Sequence, residues 1–171
     1  MKSIRIALSI ALILLTTVAF PLTDVSSSAA DARKLFKKLK TLAGSWESDN
    51  PKQPLSVSFR VTSNGHSILS EMEAPPDNMV TMYHLDGDRL LMTHYCAAGN
   101  QPRMVGKLLP DDKTVEFDFV DATNLNDVQD GHMHRLRITM TDEGHHSEDL
   151  IFQTKDGKQL VPVHFNMHRT K

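Results

Sequence analysis

Val57-Ser58-Phe59-Arg60-Val61-Thr62-Ser63-Asn64-Gly65-His66-Ser67-Ile68-Leu69-Ser70-Glu71-Met72 decides the fold, because two alternating runs flank a dipeptide that tolerates positive φ. Asn64-Gly65 suits both central positions of a tight hairpin turn. With Ser63 opposite His66, Val61 meets Ile68, Phe59 meets Ser70 and Val57 meets Met72 on one face. Ser58, Arg60, Glu71 and Glu73 take the other. One face is therefore core and the other solvent.

Downstream, Asp86-Gly87 repeats the device. Its spacing predicts Leu85 opposite Asp88, Tyr83 opposite Leu90, Thr81 opposite Met92 and Met79 opposite His94, with His84 set against Arg89 on the outer face. Tyr83 and Tyr95 fall on opposite faces, and Tyr83 is the one turned inward. Period-two runs continue from Arg103 to Leu109, Lys113 to Asp121, His132 to Met140, His146 to Gln153 and Val161 to Arg169. Pro110-Asp111-Asp112, Asp142-Glu143-Gly144 and Asp156-Gly157 are the turns between them. On the last run Val163, Phe165 and Met167 claim the core face, which leaves His164, Asn166 and His168 outside.

With a strand around Trp46 this makes about ten strands and no intervening helix. A meander of that length must hide its edges, and closure does so. The expected fold is all-β, a single antiparallel up-and-down barrel of eight to ten strands. Trp46, the sole tryptophan, is expected to plug its base. No internal repeat, low-complexity tract or linker interrupts the chain.

Upstream the period changes to helical. Leu35, Phe36, Leu39 and Leu42 share a stripe, Arg33, Lys34, Lys37, Lys38 and Lys40 face away, and Asp31 stands where an N-cap belongs. This short amphipathic helix is expected to lie over the sheet as a lid, an anionic membrane surface being the alternative. Before it, Lys2 and Arg5 precede an apolar run from Ile6 to Phe20, followed by the small residues Ser26 to Ala30. That is the pattern of a secretory signal peptide, and at about 15 residues the run is shorter than the ~20 that a spanning helix needs. The expected division is a signal peptide at 1–30, cleaved near Ala30, and a barrel domain at 31–171 exported to the periplasm or beyond. Membrane contact is expected through the signal segment alone.

Loss of Lys2, Arg5 and Asp24 with that segment takes the formal charge from −2 to −3. Such a balance offers nucleic acid no basic face. Cys96 is the single cysteine, so the domain closes no internal disulfide.

The reactive side chains gather at one end. Alternate loops of a meander share an end, so the turns at Asn64-Gly65, Asp86-Gly87, Asp111 and Gly144 close one mouth while residues 96–103 and 121–132 form the other. His94, Cys96, Asn100, Gln101, Arg103, Asn124, His132 and His134 become residues of the rim or upper lumen, with Tyr83 and Met92 deeper in the wall. Leu90, Met92, Phe117, Phe119, Leu136 and Ile138 are the expected apolar lining. The long Ala122 to Asp130 connection has the length of a binding loop. Arg103 has the chemistry of an anion clamp, and Asp121 is an equally good structural partner for it. His66, His145, His146, His164 and His168 are read as surface or strand-end residues.

Three chemistries compete for these residues. A metal has donors in His94 with Cys96 and in His132 with His134, but two strands intervene, and at ~4.8 Å per strand the pairs stand about 14 Å apart along the sheet. A thiol enzyme needs a base held against Cys96, and a shared face at i, i+2 does not supply one. No Gly-x-Ser-x-Gly elbow, His-Glu-x-x-His helix, phosphate loop or dinucleotide fingerprint is present in the sequence. Binding of a small, partly apolar molecule is the expected role, with no cofactor predicted. A structural or interaction barrel with a filled core is the alternative.

Leu42-Ala43-Gly44-Ser45-Trp46, a Gly-x-Trp opening to a β meander, resembles the calycin superfamily of lipocalin-like barrels. Met92 to Met104, Asp121-Ala122-Thr123-Asn124-Leu125 and Gly131-His132-Met133-His134 resemble exported bacterial lipocalin-like proteins of uncharacterised function, and this likeness extends over residues 35–171. It implies a barrel without an activity. More distantly the chain is similar to nitrobindins, ten-stranded haem barrels with an axial histidine on the last strand. His164 in Val163-His164-Phe165 is the matching position, which implies haem as a cofactor, although alternation turns His164 away from the core.

Overall fold

The computed structural model describes residues 23–125, 131–154 and 160–170, with side chains from residue 29 onward. Most of the expected signal peptide and the Asp156-Gly157 turn lie outside the described residues. Helix α1 (Thr23–Lys40) is followed by β1 (Gly44–Ser48), β2 (Ser56–Thr62), β3 (Ser67–Ala74), β4 (Asp77–Asp86) and β5 (Arg89–Tyr95). Then come β6 (Gln101–Leu108), β7 (Thr114–Thr123), β8 (His132–Met140), β9 (His145–Gln153) and β10 (Leu160–Arg169). Each strand pairs antiparallel with its sequence neighbour, and β1 pairs with β10 to close a ten-stranded barrel. Closure gives each of the ten described strands a partner on both sides.

The first hairpin has the expected register: Val57 faces Met72, Phe59 faces Ser70 and Val61 faces Ile68. Asn64 at φ 53, ψ 34 and Gly65 at φ 89 have the mirror-image angles of a type I turn, the form that matches strand twist. The second hairpin differs. Asp86 pairs with Arg89, Leu85 with Leu90, Tyr83 with Met92 and Thr81 with His94, a register two residues from the expected one. Gly87, at φ 61, occupies the first central position of the turn, and a 2.5 Å ion pair between Asp86 and Arg89 closes it. A shift of two keeps every side chain on its face but changes its partner.

Two further irregularities interrupt the alternation. The β6–β7 pairing slips between Arg103 and Met104, and the β8–β9 pairing slips between Met133 and Arg135. His134 is the extra residue in the second bulge.

The helix starts earlier than Asp31, which therefore lies inside it and does not cap it. No glycine or proline stands between Thr23 and Asp31 to stop the helix from extending back. Its predicted stripe is buried: Leu35, Phe36 and Leu39 pack on the barrel, Leu42 just beyond joins them, and Ala32, not expected there, is buried as well. Each of the three leucines and Phe36 contributes about 1.5–3 kcal/mol. A Lys34–Asp112 ion pair ties α1 to the β6–β7 turn, so the helix lies across the closed end. Trp46 is buried there, its Nε1 donating to the Leu42 carbonyl at 2.8 Å.

Leu90, Met92, Met104, Val115, Phe117, Ile138 and Met167 fill the closed half of the lumen and are fully buried. Gly106 admits the Phe117 ring, since a Cβ on Gly106 would stand 2.8 Å from it. Outside, Glu116 and Asp118 on β7 are flanked by Lys107 on β6 and by Arg135 and Arg137 on β8. Both carboxyls are held below the usual carboxylate range: burial opposes ionisation, and hydrogen bonds from these cations outweigh it.

Candidate functional site

The open half of the lumen is where packing stops. A cavity of about 520 Å³ lies between β3–β5 on one side and β8–β10 on the other. Met72 and Ala74 come from β3, Asp77 and Met79 from β4, and His94 with Cys96, Ala97 and Ala98 from β5 and its following turn. Met133, Leu150, Ile151, Phe152, Val163 and Phe165 form the opposing wall, and Leu55 completes it. This volume is within the range of small-molecule sites, and the wall is predominantly apolar, as such sites are.

One imidazole interrupts that apolar wall. His94 is 1% exposed, and its Nδ1 lies 2.8 Å from the Thr81 hydroxyl on the adjacent strand. Ser70, Thr81 and His94 are cross-strand partners in one row over β3, β4 and β5, and all three are buried. The His94 Nε2 is buried with no hydrogen-bond partner. Burial pushes the His94 pKa down to about 4, so the ring is neutral at physiological pH. A neutral imidazole held by one edge has its other nitrogen left to accept or donate a hydrogen bond, or to ligate a metal.

Cys96 stands at the rim, where its Sγ accepts the Ala98 N–H at 3.5 Å. Burial pushes the thiol up; the Ala98 hydrogen bond opposes this and the nearby Asp77 carboxylate adds to it. That is the reverse of what a thiolate nucleophile needs. Among the described residues no group of three or more His, Cys, Asp or Glu side chains could hold a metal ion.

Of the ten residues expected at the site, His94 and Cys96 line the cavity. Tyr83 and Met92 are buried in the filled half, with Tyr83 tilted against Phe117 at 5.4 Å between centroids. Burial raises the Tyr83 pKa, and Glu148 adds to the effect. Leu90, Phe117, Leu136 and Ile138, expected as lining, are likewise close-packed core.

Asn100, Gln101, Arg103 and Asn124 hold the mouth loops together. Asn100 Nδ2 donates to the Gly131 carbonyl at 2.8 Å, Asn124 Nδ2 donates to the Gly99 carbonyl at 2.5 Å, and the Thr123 hydroxyl donates to Gln101 Oε1 at 2.7 Å. Arg103 forms a two-pronged pair with Asp121, at 2.5 and 2.7 Å, so the structural partnership uses the donors that an anion clamp would need. His132 and His134 pack against Phe119, with ring centroids 4.4 and 5.8 Å away. Burial and the neighbouring His132 lower the His134 pKa. The bulge at Met133 explains why Met133, and not His134, lines the cavity.

His146 was expected near the surface and is instead 2% exposed on the lumen face. It pairs across β9–β10 with core-facing Met167, its Nε2 is 3.1 Å from the buried Glu148 carboxylate, and Trp46 meets its ring edge-on at 4.3 Å. The inward order of Val163, Phe165 and Met167 carried the signal, because a hairpin register sets His146 and Glu148 on the same face.

His164 is exposed on the outer wall. Its Nδ1 lies 2.6 Å from Asp149 and its Nε2 3.1 Å from Asn166, and the Asp149 hydrogen bond raises its pKa. Both ring nitrogens are engaged outside the barrel, so His164 does not fit an axial haem ligand in the lumen.

Neither a family model nor a curated protein sequence matches this chain. Among solved structures it is similar to the crystal structure of Rv2717c from M. tuberculosis, with a TM-score of 0.53 and 15% identity over 80% of this chain and 97% of that one. At that identity the likeness is one of fold, a closed antiparallel barrel with ten strands in this chain.

Proposed function

We propose that the chain is an exported, lipocalin-like barrel of the calycin type that binds a small, largely apolar molecule in its mouth cavity. The observation that carries this reading is the combination of an apolar space of about 520 Å³ with one buried imidazole nitrogen that no protein group satisfies. An unpartnered buried polar atom costs about 1–3 kcal/mol, and an occupant that bonds to it recovers that cost. The filled closed half supplies a rigid floor, and the hydrogen-bonded loops at residues 99–103 and 121–124 keep the mouth in shape.

Native mass spectrometry of the protein purified from its source, beside an Ala74→Trp variant that fills the cavity, tests the proposal. A small-molecule adduct on the natural chain that the variant lacks is the expected result. No adduct, together with no saturable uptake of the neutral dye Nile red by the natural chain, would overturn it. The second reading, a structural barrel, is favoured by the packing of Leu90, Met92, Phe117 and Ile138, and that negative result would support it.

A further inference from the structure

Among the described lining residues of the mouth cavity there is no lysine or arginine, and Asp77, exposed at the rim, is the one carboxylate. Arg103, the nearest candidate for an anion partner by sequence, is committed to Asp121 outside the cavity. A carboxylate or phosphate head seated beside His94 would be buried without a counter-charge on the lining, where Asp77 is the one carboxylate, and with the buried Glu148 also on the lumen face. Burying an unpaired ion is far more costly than burying a hydrogen-bonded neutral group. A cationic head fares no better at His94, because a neutral imidazole offers it one lone pair at most, the Thr81 hydroxyl is already engaged, and the buried Glu148 carboxylate is bonded to His146.

Hydroxyl chemistry meets the remaining demand directly. His94 Nδ1 and Thr81 Oγ1 share one hydrogen bond, and whichever atom donates, Nε2 is left with the complementary role. A hydroxyl donates and accepts, so it satisfies Nε2 in either tautomer. Apolar side chains, Met72, Met79, Met133, Phe152 and Phe165 among them, enclose whatever lies beyond that contact. Thioethers and aromatic rings adapt to flat or irregular apolar bodies.

We propose that the mouth cavity selects amphiphiles with an uncharged hydrogen-bonding head, an alcohol or phenol, seated on His94, and discriminates against the same apolar body carrying an ionised head. This rests on the reading of the cavity as a ligand site and adds to it the charge class of the ligand. The head lies deep against the Ser70, Thr81 and His94 row, and the apolar body points toward the mouth.

Calorimetric titration of the full chain at pH 7.5 with 2-naphthol, 2-naphthoate, 2-naphthylmethylammonium and naphthalene separates the two ideas. The expected order places 2-naphthol at least about tenfold tighter than either ion, a difference of about 1.4 kcal/mol. In His94→Ala the advantage of 2-naphthol over naphthalene is expected to vanish while naphthalene still binds, which also shows that the variant is folded. If either ion matches or exceeds 2-naphthol, the charge selectivity is overturned and the ligand site stands. If 2-naphthol keeps its advantage over naphthalene in His94→Ala, the seat on His94 is overturned. If none of the four binds the natural chain, the ligand reading itself falls, and the inference with it.

Discussion

Thr81 and His94 face one another across β4 and β5, joined by a 2.8 Å contact between hydroxyl and Nδ1 that exists because the hairpin register is shifted by two residues. In the register expected from Asp86-Gly87, His94 would have stood opposite Met79 and gained no polar partner. The shift keeps His94 inward and gives its ring a fixed edge. It does not make the ring a cation: burial holds His94 neutral, with its pKa down at about 4.

Acid stability follows from that neutrality. As pH falls below the unfolded value of 6.5, the unfolded chain takes up a proton at His94 before the folded chain does. The stabilisation is therefore complete above 6.5 and is lost as pH falls toward about 4, amounting to about 3 kcal/mol. Urea unfolding of the natural chain and of His94→Gln between pH 7 and pH 4 is the measurement. The natural chain should lose about 3 kcal/mol more than the variant across that window. Parallel profiles would show that His94 is not buried in its neutral form.

Cys96 should be a slow thiol. Its upward shift comes first from burial, and thiolate is the reacting species, so less of it is present at neutral pH than for a free cysteine. Iodoacetamide at pH 7.5 is expected to label native Cys96 about tenfold more slowly than N-acetylcysteine, and urea-unfolded protein at an ordinary rate. Fast native labelling would contradict the burial assignment and restore Cys96 as a candidate nucleophile.

Much of the barrel was legible because hairpin chemistry and alternation act locally. Asn64-Gly65 fixed one register in full, and the β8 limits agree with the His132 to Met140 run. Asp86-Gly87 was ambiguous, since a glycine serves at either central position of a two-residue turn and the choice moves every partner by two. The bulges at Arg103 and Met133 leave no mark on the hydrophobic pattern, so His134 read as a lumen residue while Met133 has that place. His146 and Glu148 were hidden for another reason: two polar residues on a core face look like an outer face until the neighbouring strand is paired with it. Where the lumen is filled and where it is open depends on side chains converging from many strands, which no single run encodes. Leu90 and Phe117 therefore read as cavity walls although they are packing.

Arg169 joins three parts of the chain at the closed end. Its guanidinium donates to the Thr41, Ala43 and Glu143 carbonyls and lies over the Trp46 ring, 4.1 Å from the centroid. A cation here also complements the helix C-terminus, where the Lys38, Leu39 and Lys40 carbonyls are already taken by the Thr41, Leu42 and Ala43 N–H groups and Arg169 serves the Thr41 and Ala43 carbonyls just beyond. Arg169→Ala should destabilise the barrel by about 2–3 kcal/mol, and Arg169→Lys should recover less than half, because an ammonium cannot reproduce the planar fork. Chemical denaturation of the three proteins checks this. Full recovery by lysine would reduce the role of Arg169 to its charge.

Gly106 offers a test of the filled half of the lumen. It is paired with Leu90 on β5 and Phe117 on β7, and a methyl group there would meet the Phe117 ring at 2.8 Å and the Leu90 side chain at 3.3 Å. Neither neighbour has room to retreat, as both are fully buried. Gly106→Ala should therefore cost about 1–3 kcal/mol by overpacking. Phe117→Leu alone should also destabilise, by opening a void. In the double variant the leucine vacates part of the space that the alanine needs, so the combined loss should fall short of the sum of the single losses by at least about 0.5 kcal/mol. Strict additivity in urea unfolding would mean that the two side chains do not compete for one volume, and the packed floor beneath the mouth cavity would be refuted.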